Sequence, residues 1–327
     1  MNKVISIVVV NYNGKRFLEK LFTSIRQQTY SSLEVICVDS ASKDDSVSFI
    51  KKEFPEVWLI EAENKGFGSA CNRGAQYATG DFVVFLNEDM YIPPDFVERL
   101  YVTYQSIQAS DPAIGALGCN LNEYNGEPNY DIFPGKIDCV GFPAKNRKKS
   151  KKGALIPGCP FFISRKLFLE SGGFCEFIFL YCDDMDLSWR LTLMGRHQYT
   201  APEICLYHYG GGSIAGFPPR KIGYLIFGTS VALFNNYSTP FLFLFLPLNL
   251  LFIILIVAPA LFVFTRGNIR YMYAALRSVV AFVRIIPELR VFRKKVQQLR
   301  RVSDRAFLRE HGTWLPALLT SKGYKRL

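Results

Sequence analysis

Eight cysteines at positions 37, 71, 119, 139, 159, 175, 182 and 205 form no Cys-x-x-Cys pair, and no signal peptide is expected ahead of them. They read as buried or idle thiols of a reducing compartment. The apolar run Val4–Val10 follows Lys3, but seven residues closed by Asn11-Tyr12-Asn13-Gly14 are too few for a signal h-region with its cleavage site, so a buried strand is expected there. That same closing sequence lacks the glycine- and arginine-rich loop that a nucleotidyltransferase would need after its first strand. Acidic residues are scarce in one region only. Residues 266–327 carry 3 Asp and Glu against 15 Lys and Arg, a net of +12, whereas the rest of the chain is nearly neutral and the whole is +11. A basic excess confined to an appendage argues against a nucleic-acid-binding globule and favours a membrane partner. With 327 residues and 49% apolar composition, one large domain plus an appendage is expected rather than disorder.

Short apolar runs alternate with helical stretches up to about residue 120, the pattern of parallel βαβ units. Strands are predicted at Val4–Val10, Leu33–Val38, Val57–Glu61 and Phe82–Leu86, and helices near Lys15–Gln27, Asp44–Lys52 and Gly68–Ala78. Ligands of such sheets sit at the carboxyl ends of the strands, which directs attention to residues 11–14, 39–42, 64–68 and 87–89. The stretch from Gly115 to about Pro219 is more mixed and contains a basic run over residues 145–152. That run reads either as a solvated loop or as a contact for an anionic acceptor or lipid headgroups.

A nucleoside diphosphate site needs a carboxylate for base or ribose, small residues where backbone meets phosphate, and a cation for the leaving group. Asp39 follows the second strand and fits the first role, or is a turn residue before a helix that Asp44 caps. Asn64-Lys65-Gly66-Phe67-Gly68 opens a helix with glycines spaced for close backbone approach. Leu86-Asn87-Glu88-Asp89 then places acid beside the same cleft, where Asp89 suits Mg²⁺ or Mn²⁺, or is simply a polar strand end. Asp183-Asp184-Met185-Asp186 offers a general base, or favours the N-terminus of the following helix.

The order of these motifs, together with Gln28-Thr29-Tyr30, Gly172-Gly173-Phe174, Arg190, Gly195 and Leu206-Tyr207-His208, resembles the family 2 glycosyltransferases of GT-A fold over residues 3–215. The resemblance implies an α/β fold with a mostly parallel central sheet. It also implies inverting transfer of a sugar from a nucleotide-diphosphate donor, with Asn11, Asn13, Asp39, Asn64, Gly66 and Asn87 on the donor side. Asp89 would be the last carboxylate of the metal-binding Asp-x-Asp motif, whose first position is Asn87 here, as in a subset resembling rhamnosyl and galactofuranosyl enzymes. His208 would supply one further ligand beside diphosphate oxygens, although without the resemblance it reads as a structural histidine. Asp184 matches the base position and Asp183 is the second candidate, with Asp186 in a helix-start or supporting role. Trp189 and the aromatic run 174–181 are either a sugar-stacking platform or core.

Residues 241–264 hold no charge over 24 positions, about 36 Å of helix, enough to cross a bilayer core. The following stretch to Pro287 is apolar except for Arg270, Arg277 and Arg284, seven apart and close to one helix face, which predicts an interfacial helix. The expected division is a catalytic domain at 1–219, a hydrophobic membrane segment at 220–265 and a basic amphipathic cytosolic tail at 266–327. Nucleotide sugars are cytosolic, and the positive-inside rule places the tail there too. An even number of crossings, or a monotopic or re-entrant anchor, is therefore expected; Pro247, Asn249 and Pro259 are compatible with a bent, non-spanning hairpin, for which Ile222–Phe234 offers a partner. The whole reads as a transferase on the cytoplasmic face of the cell membrane. Its expected acceptor is a lipid-linked glycan, with direct transfer to polyprenyl phosphate, or an inactive glycan-binding scaffold, as alternatives.

Overall fold

The computed structural model describes residues 3–124, 135–144, 151–156, 158–209 and 218–313. The chain opens with β1 (Ile5–Asn11), α1 (Lys15–Arg26), β2 (Leu33–Ser40), α2 (Ser46–Glu53), β3 (Trp58–Ala62), α3 (Phe67–Tyr77) and β4 (Phe82–Asn87). These elements lie within two residues of their predicted bounds because the hydrophobic period fixes them. β1 is buried along its whole length. Its alternate residues Ile5, Ile7 and Val9 join the core that includes α1, while Val8 and Val10 pack on the opposite face with Ala70, Cys71 and Ala75 of α3. Helices on both faces are the reason the strand is apolar throughout rather than alternating.

The mixed stretch supplies β5 (Met90–Tyr91), α4 (Phe96–Ser110), β6 (Ile114–Glu123), β7 (Lys136–Asp138), β8 (Pro143–Ala144), β9 (Lys152–Gly153), β10 (Phe161–Ser164), α5 (Arg165–Glu170), α6 (Asp183–Leu193) and β11 (His197–His208). The central sheet runs β3-β2-β1-β4-β10-β6-β11-β5, with β9 beside β11. Pairs among β1 to β4 are parallel, as is β6 with β11, and β10 enters antiparallel between β4 and β6. Of the basic run, residues 145–150 lie outside the described residues. Lys151 and Lys152 bond Glu203 and Asp111.

Beyond the sheet come α7 (Pro219–Asn236), α8 (Thr239–Phe252), a π-helical turn (Ile253–Val257), α9 (Ala258–Phe264), α10 (Ile269–Leu299), α11 (Asp304–His311) and β12 (Gly312–Thr313). Two sequence expectations change here. The hydrophobic segment is not broken at its prolines: Thr239–Phe264 is one 26-residue helix, long and apolar enough to cross a membrane. The wide π turn lies directly before Pro259, where a regular α-helix would drive the proline ring against the carbonyl of Leu255. Asn249, expected to help break the helix, is fully buried and donates to the Val140 carbonyl at 2.8 Å.

The second change concerns the basic tail, whose described part is folded back on the body. α10 packs along α7, and β12 pairs with β7. The last carbonyls of α7 need donors, and the basic segment provides them. Arg293 bonds the Phe234 and Tyr237 carbonyls, Gln297 that of Asn235, and Arg300 that of Asn236. Arg270, Arg277 and Arg284 are exposed on α10. Phe243, Leu255 and Val263, 78%, 66% and 72% exposed, form the bare apolar side of the long helix.

Candidate active site

β4 ends at Asn87, and Glu88 and Asp89 turn the chain into β5. β5 pairs antiparallel with the end of β11, setting His208 opposite Met90, and the Tyr209 amide donates to the Asp89 carbonyl at 2.9 Å. This pairing brings His208 Nε2 to 3.2 Å from Asp89 Oδ1. The two atoms lack hydrogen-bond alignment, so Asp89 Oδ1 is buried with no donor. Two ligands at right angles on an ion with bonds of about 2.1 Å stand about 3.0 Å apart. The spacing and the orphaned oxygen thus fit one divalent cation. Among the described residues no three His, Cys, Asp or Glu side chains gather for a metal, so diphosphate oxygens would complete the shell.

α6 begins in an unusual turn. Tyr181 and Cys182 both have left-handed backbones, φ +66° and +64°, immediately before Asp183. Asp184 is held by two amides: Gly158 donates to Oδ2 at 2.9 Å and Met185 to Oδ1 at 2.8 Å. Asp183 is buried with Oδ2 lacking any donor. Burial first, and then the Asp184 charge, push Asp183 up to about 7, while burial raises Asp184. Three residues on, Asp186 is fully buried and saturated by Arg190, Asn235 and Asn236.

Asn64, Gly66, Asn87, Asp89, Asp183, Asp184 and His208 all line one cleft of about 790 Å³. Asn11, Asn13 and Asp39 do not. Asp39, 1% exposed, accepts from Asn11 Nδ2 at 2.6 Å and from the Ser42 amide at 2.9 Å. Ser42 Oγ in turn accepts from the Asn13 amide at 2.8 Å, and Asn13 Oδ1 from that of Lys43 at 2.7 Å. The three residues shape the rim, and their neighbours Tyr12 and Ser40 reach the cleft. Gly66 differs from its expected part in a similar way. At φ +97° a Cβ there would sit 2.0 Å from the Phe179 carbonyl oxygen, so the backbone that approaches it belongs to the protein. Trp189 is core, stacked on Phe307 and fully buried, whereas Phe179 and Tyr181 face the cleft.

Glu88, Arg220, Lys221 and Tyr224 also line the cleft and escaped the sequence reading as site residues. Burial, then Asp89, push Glu88 up to about 8. Its packing explains Gly14, whose Cβ would meet Glu88 Cγ at 2.3 Å. The acid-rich Asn87-Glu88-Asp89 sequence was a usable signal for Glu88. No signal links α7 to the cleft, because its first turn reaches the site only by folding over it.

The family described as Glycosyl transferase family 2 matches residues 6–172. Glycosyltransferase GlyA of Streptococcus pneumoniae is 38% identical over 115 residues, 34% of this chain and 16% of that protein. The uncharacterized glycosyltransferase RP339 of Rickettsia prowazekii is 27% identical over 190 residues, 56% of this chain and 57% of that one. The chain thus spans less than two thirds of either relative. In structure it is similar to a mannosyltransferase of Pyrobaculum calidifontis solved with GDP-Man and Mn²⁺. The TM-score is 0.56 at 20% identity, covering 91% of this chain and 85% of the other, a likeness of fold.

Proposed function

The chain belongs to glycosyl transferase family 2, with an α/β GT-A-like fold, and from that premise we propose that it transfers a sugar, with inversion, from a nucleotide-diphosphate donor to a hydroxyl of a lipid-linked glycan. Rhamnose or a similar hexose is the sugar we favour. One observation carries the reading: the Asp89–His208 pair, with its orphaned oxygen, and the Asp183–Asp184 pair open into the same cleft.

Asp184 takes the proton from the acceptor hydroxyl, whose oxygen attacks the anomeric carbon. The bond from that carbon to the diphosphate breaks on the opposite face, and the nucleoside diphosphate departs with the electron pair. The two amides on Asp184 fix its direction, and burial raises its proton affinity as it does that of Asp183 beside it. Asp89 and His208 would hold Mg²⁺ or Mn²⁺, which neutralises charge developing on the leaving diphosphate when bound. Asn64 and Asn87 present polar groups to the donor from the cleft wall.

A hydroxyl acceptor tethered to lipid fits the exposed apolar side of Thr239–Phe264, which we place in the cytoplasmic leaflet of the cell membrane. Direct transfer to polyprenyl phosphate is the second reading, favoured by Arg220 and Lys221 on the cleft wall nearest those helices. The test is a panel of UDP-, GDP- and dTDP-sugars with the purified chain and Mn²⁺, scored by nucleoside diphosphate release with and without lipid-linked glycan or polyprenyl phosphate. Release stimulated by one acceptor identifies it, and release from no donor overturns the proposal. A protease-sensitive C-terminal tag on the outside of sealed inverted vesicles supports the cytoplasmic placement, and protection there removes it.

A further inference from the structure

We infer that α7 is a positioning element of the active site, and that Gly228 and Thr229 hold the Tyr181–Cys182 turn that aims Asp183 and Asp184. The inference rests on the reading of that carboxylate pair as the base.

Two consecutive non-glycine residues in the left-handed region persist only when their surroundings hold them there. Here α7 supplies the surroundings. A Cβ at Gly228 would lie 2.7 Å from the Tyr181 carbonyl oxygen and 2.9 Å from Cys182 Cβ, so helix backbone and turn meet with no side chain between them. Cys182 Sγ lies 3.6 Å from both the Leu225 carbonyl oxygen and Thr229 Oγ1, and Thr229 Oγ1 donates to that same carbonyl at 2.8 Å.

Farther along α7, Asn235 and Asn236 donate to Asp186 Oδ1 at 3.2 and 2.9 Å. The helix therefore grips α6 on both sides of Asp183 and Asp184. Neither grip touches Asp89 or His208. α7 is itself fixed from the far side, where Ser230 Oγ donates to Asn249 Oδ1 at 3.0 Å and Ser278 Oγ to the Gly223 carbonyl at 2.9 Å. Asn249 and Ser278 belong to the apolar helices. These helices, which the sequence suggests as an anchor only, thus brace the catalytic turn, and disturbing their seat on α7 disturbs the base while sparing the cation pair.

The test uses the full chain in detergent, with the nucleotide sugar that the panel identifies and water or its acceptor as the second substrate. In Gly228→Ala the new methyl displaces the turn. We expect kcat to fall at least tenfold and the acid limb of the kcat–pH profile to move, with UDP and GDP affinity within twofold of wild type. Thr229→Val should lower kcat about threefold to tenfold, and Thr229→Ser, which keeps the hydroxyl, should return it to within twofold. The threonine pair decides if Gly228→Ala does not fold. Unchanged kcat and pH profile in the folded variants, or loss of kcat and nucleotide affinity together, would overturn the inference. Asp184→Asn separates the two ideas: if it turns over at near wild-type rate the base assignment fails, whatever the α7 variants do.

Discussion

At the carboxyl ends of β1 and β2, Asp39 accepts from Asn11 and the Ser42 amide, and Ser42 and Asn13 carry the hydrogen bonding onward to Lys43. At the start of α6 and the end of β4, Asp183 and Asp89 are also buried, yet each keeps an oxygen with no donor. A buried polar atom left unsatisfied costs about 1–3 kcal/mol. A fold that tolerates two of them around one cleft has left room for something to arrive there. Asp39, with both carboxylate oxygens bonded, shapes the rim, whereas the corner proposed as reactive keeps one oxygen without a donor on each of Asp183 and Asp89.

Asp184→Asn should break the reactive corner most completely. Turnover is expected to fall about 10²- to 10⁴-fold with UDP and GDP binding nearly unchanged, measured by nucleoside diphosphate release and calorimetry. Asp89→Ala should act on the other half of that corner and raise the Mn²⁺ concentration needed for half-maximal turnover roughly tenfold or more. A metal titration unchanged from wild type would remove Asp89 from the site.

The pH profile comes next in size. The base must be ionised, and burial raises Asp184 above the ordinary carboxylate range, so kcat should decline about tenfold per unit on an acid limb displaced upward from that range. A limb near pH 4 would mean an ordinary, solvated carboxylate. The smallest effects are on stability. With Asp183 raised to about 7, its stabilising share is complete below about pH 4 and lost as pH rises through 7. Asp183→Asn should accordingly raise Tm at pH 9 and leave it unchanged at pH 4, with at most about 4 kcal/mol involved. Asp39→Asn should lower Tm at pH 7 by disrupting its network, which sharpens the contrast between a structural and a reactive carboxylate.

Much of this was legible in the chain. The βαβ half follows from apolar period, and seven of the ten candidate residues meet in one cleft because strand ends converge by topology. What escaped depends on who satisfies whom. Asp39 and Asp183 look alike in sequence, and only the partners on both Asp39 oxygens, Asn11 and the Ser42 amide, against the donorless Oδ2 of Asp183, separate them. Pro247, Pro259 and Asn249 signalled a break, yet a π turn and a bond to Val140 let the helix continue. The positive charge at 266–327 suggested an amphipathic membrane-facing tail, and gave no sign that carbonyls at the end of α7 recruit Arg293 and Arg300 into the fold.

The bare side of Thr239–Phe264 has a kinetic meaning. On the proposed placement of Phe243, Leu255 and Val263 in lipid, enzyme and a lipid-borne acceptor would search for each other by lateral diffusion in a plane. The quantity that governs saturation is then acceptor per unit of membrane area. Diluting vesicles in buffer should leave turnover per enzyme unchanged, while diluting the acceptor with inert lipid should lower it.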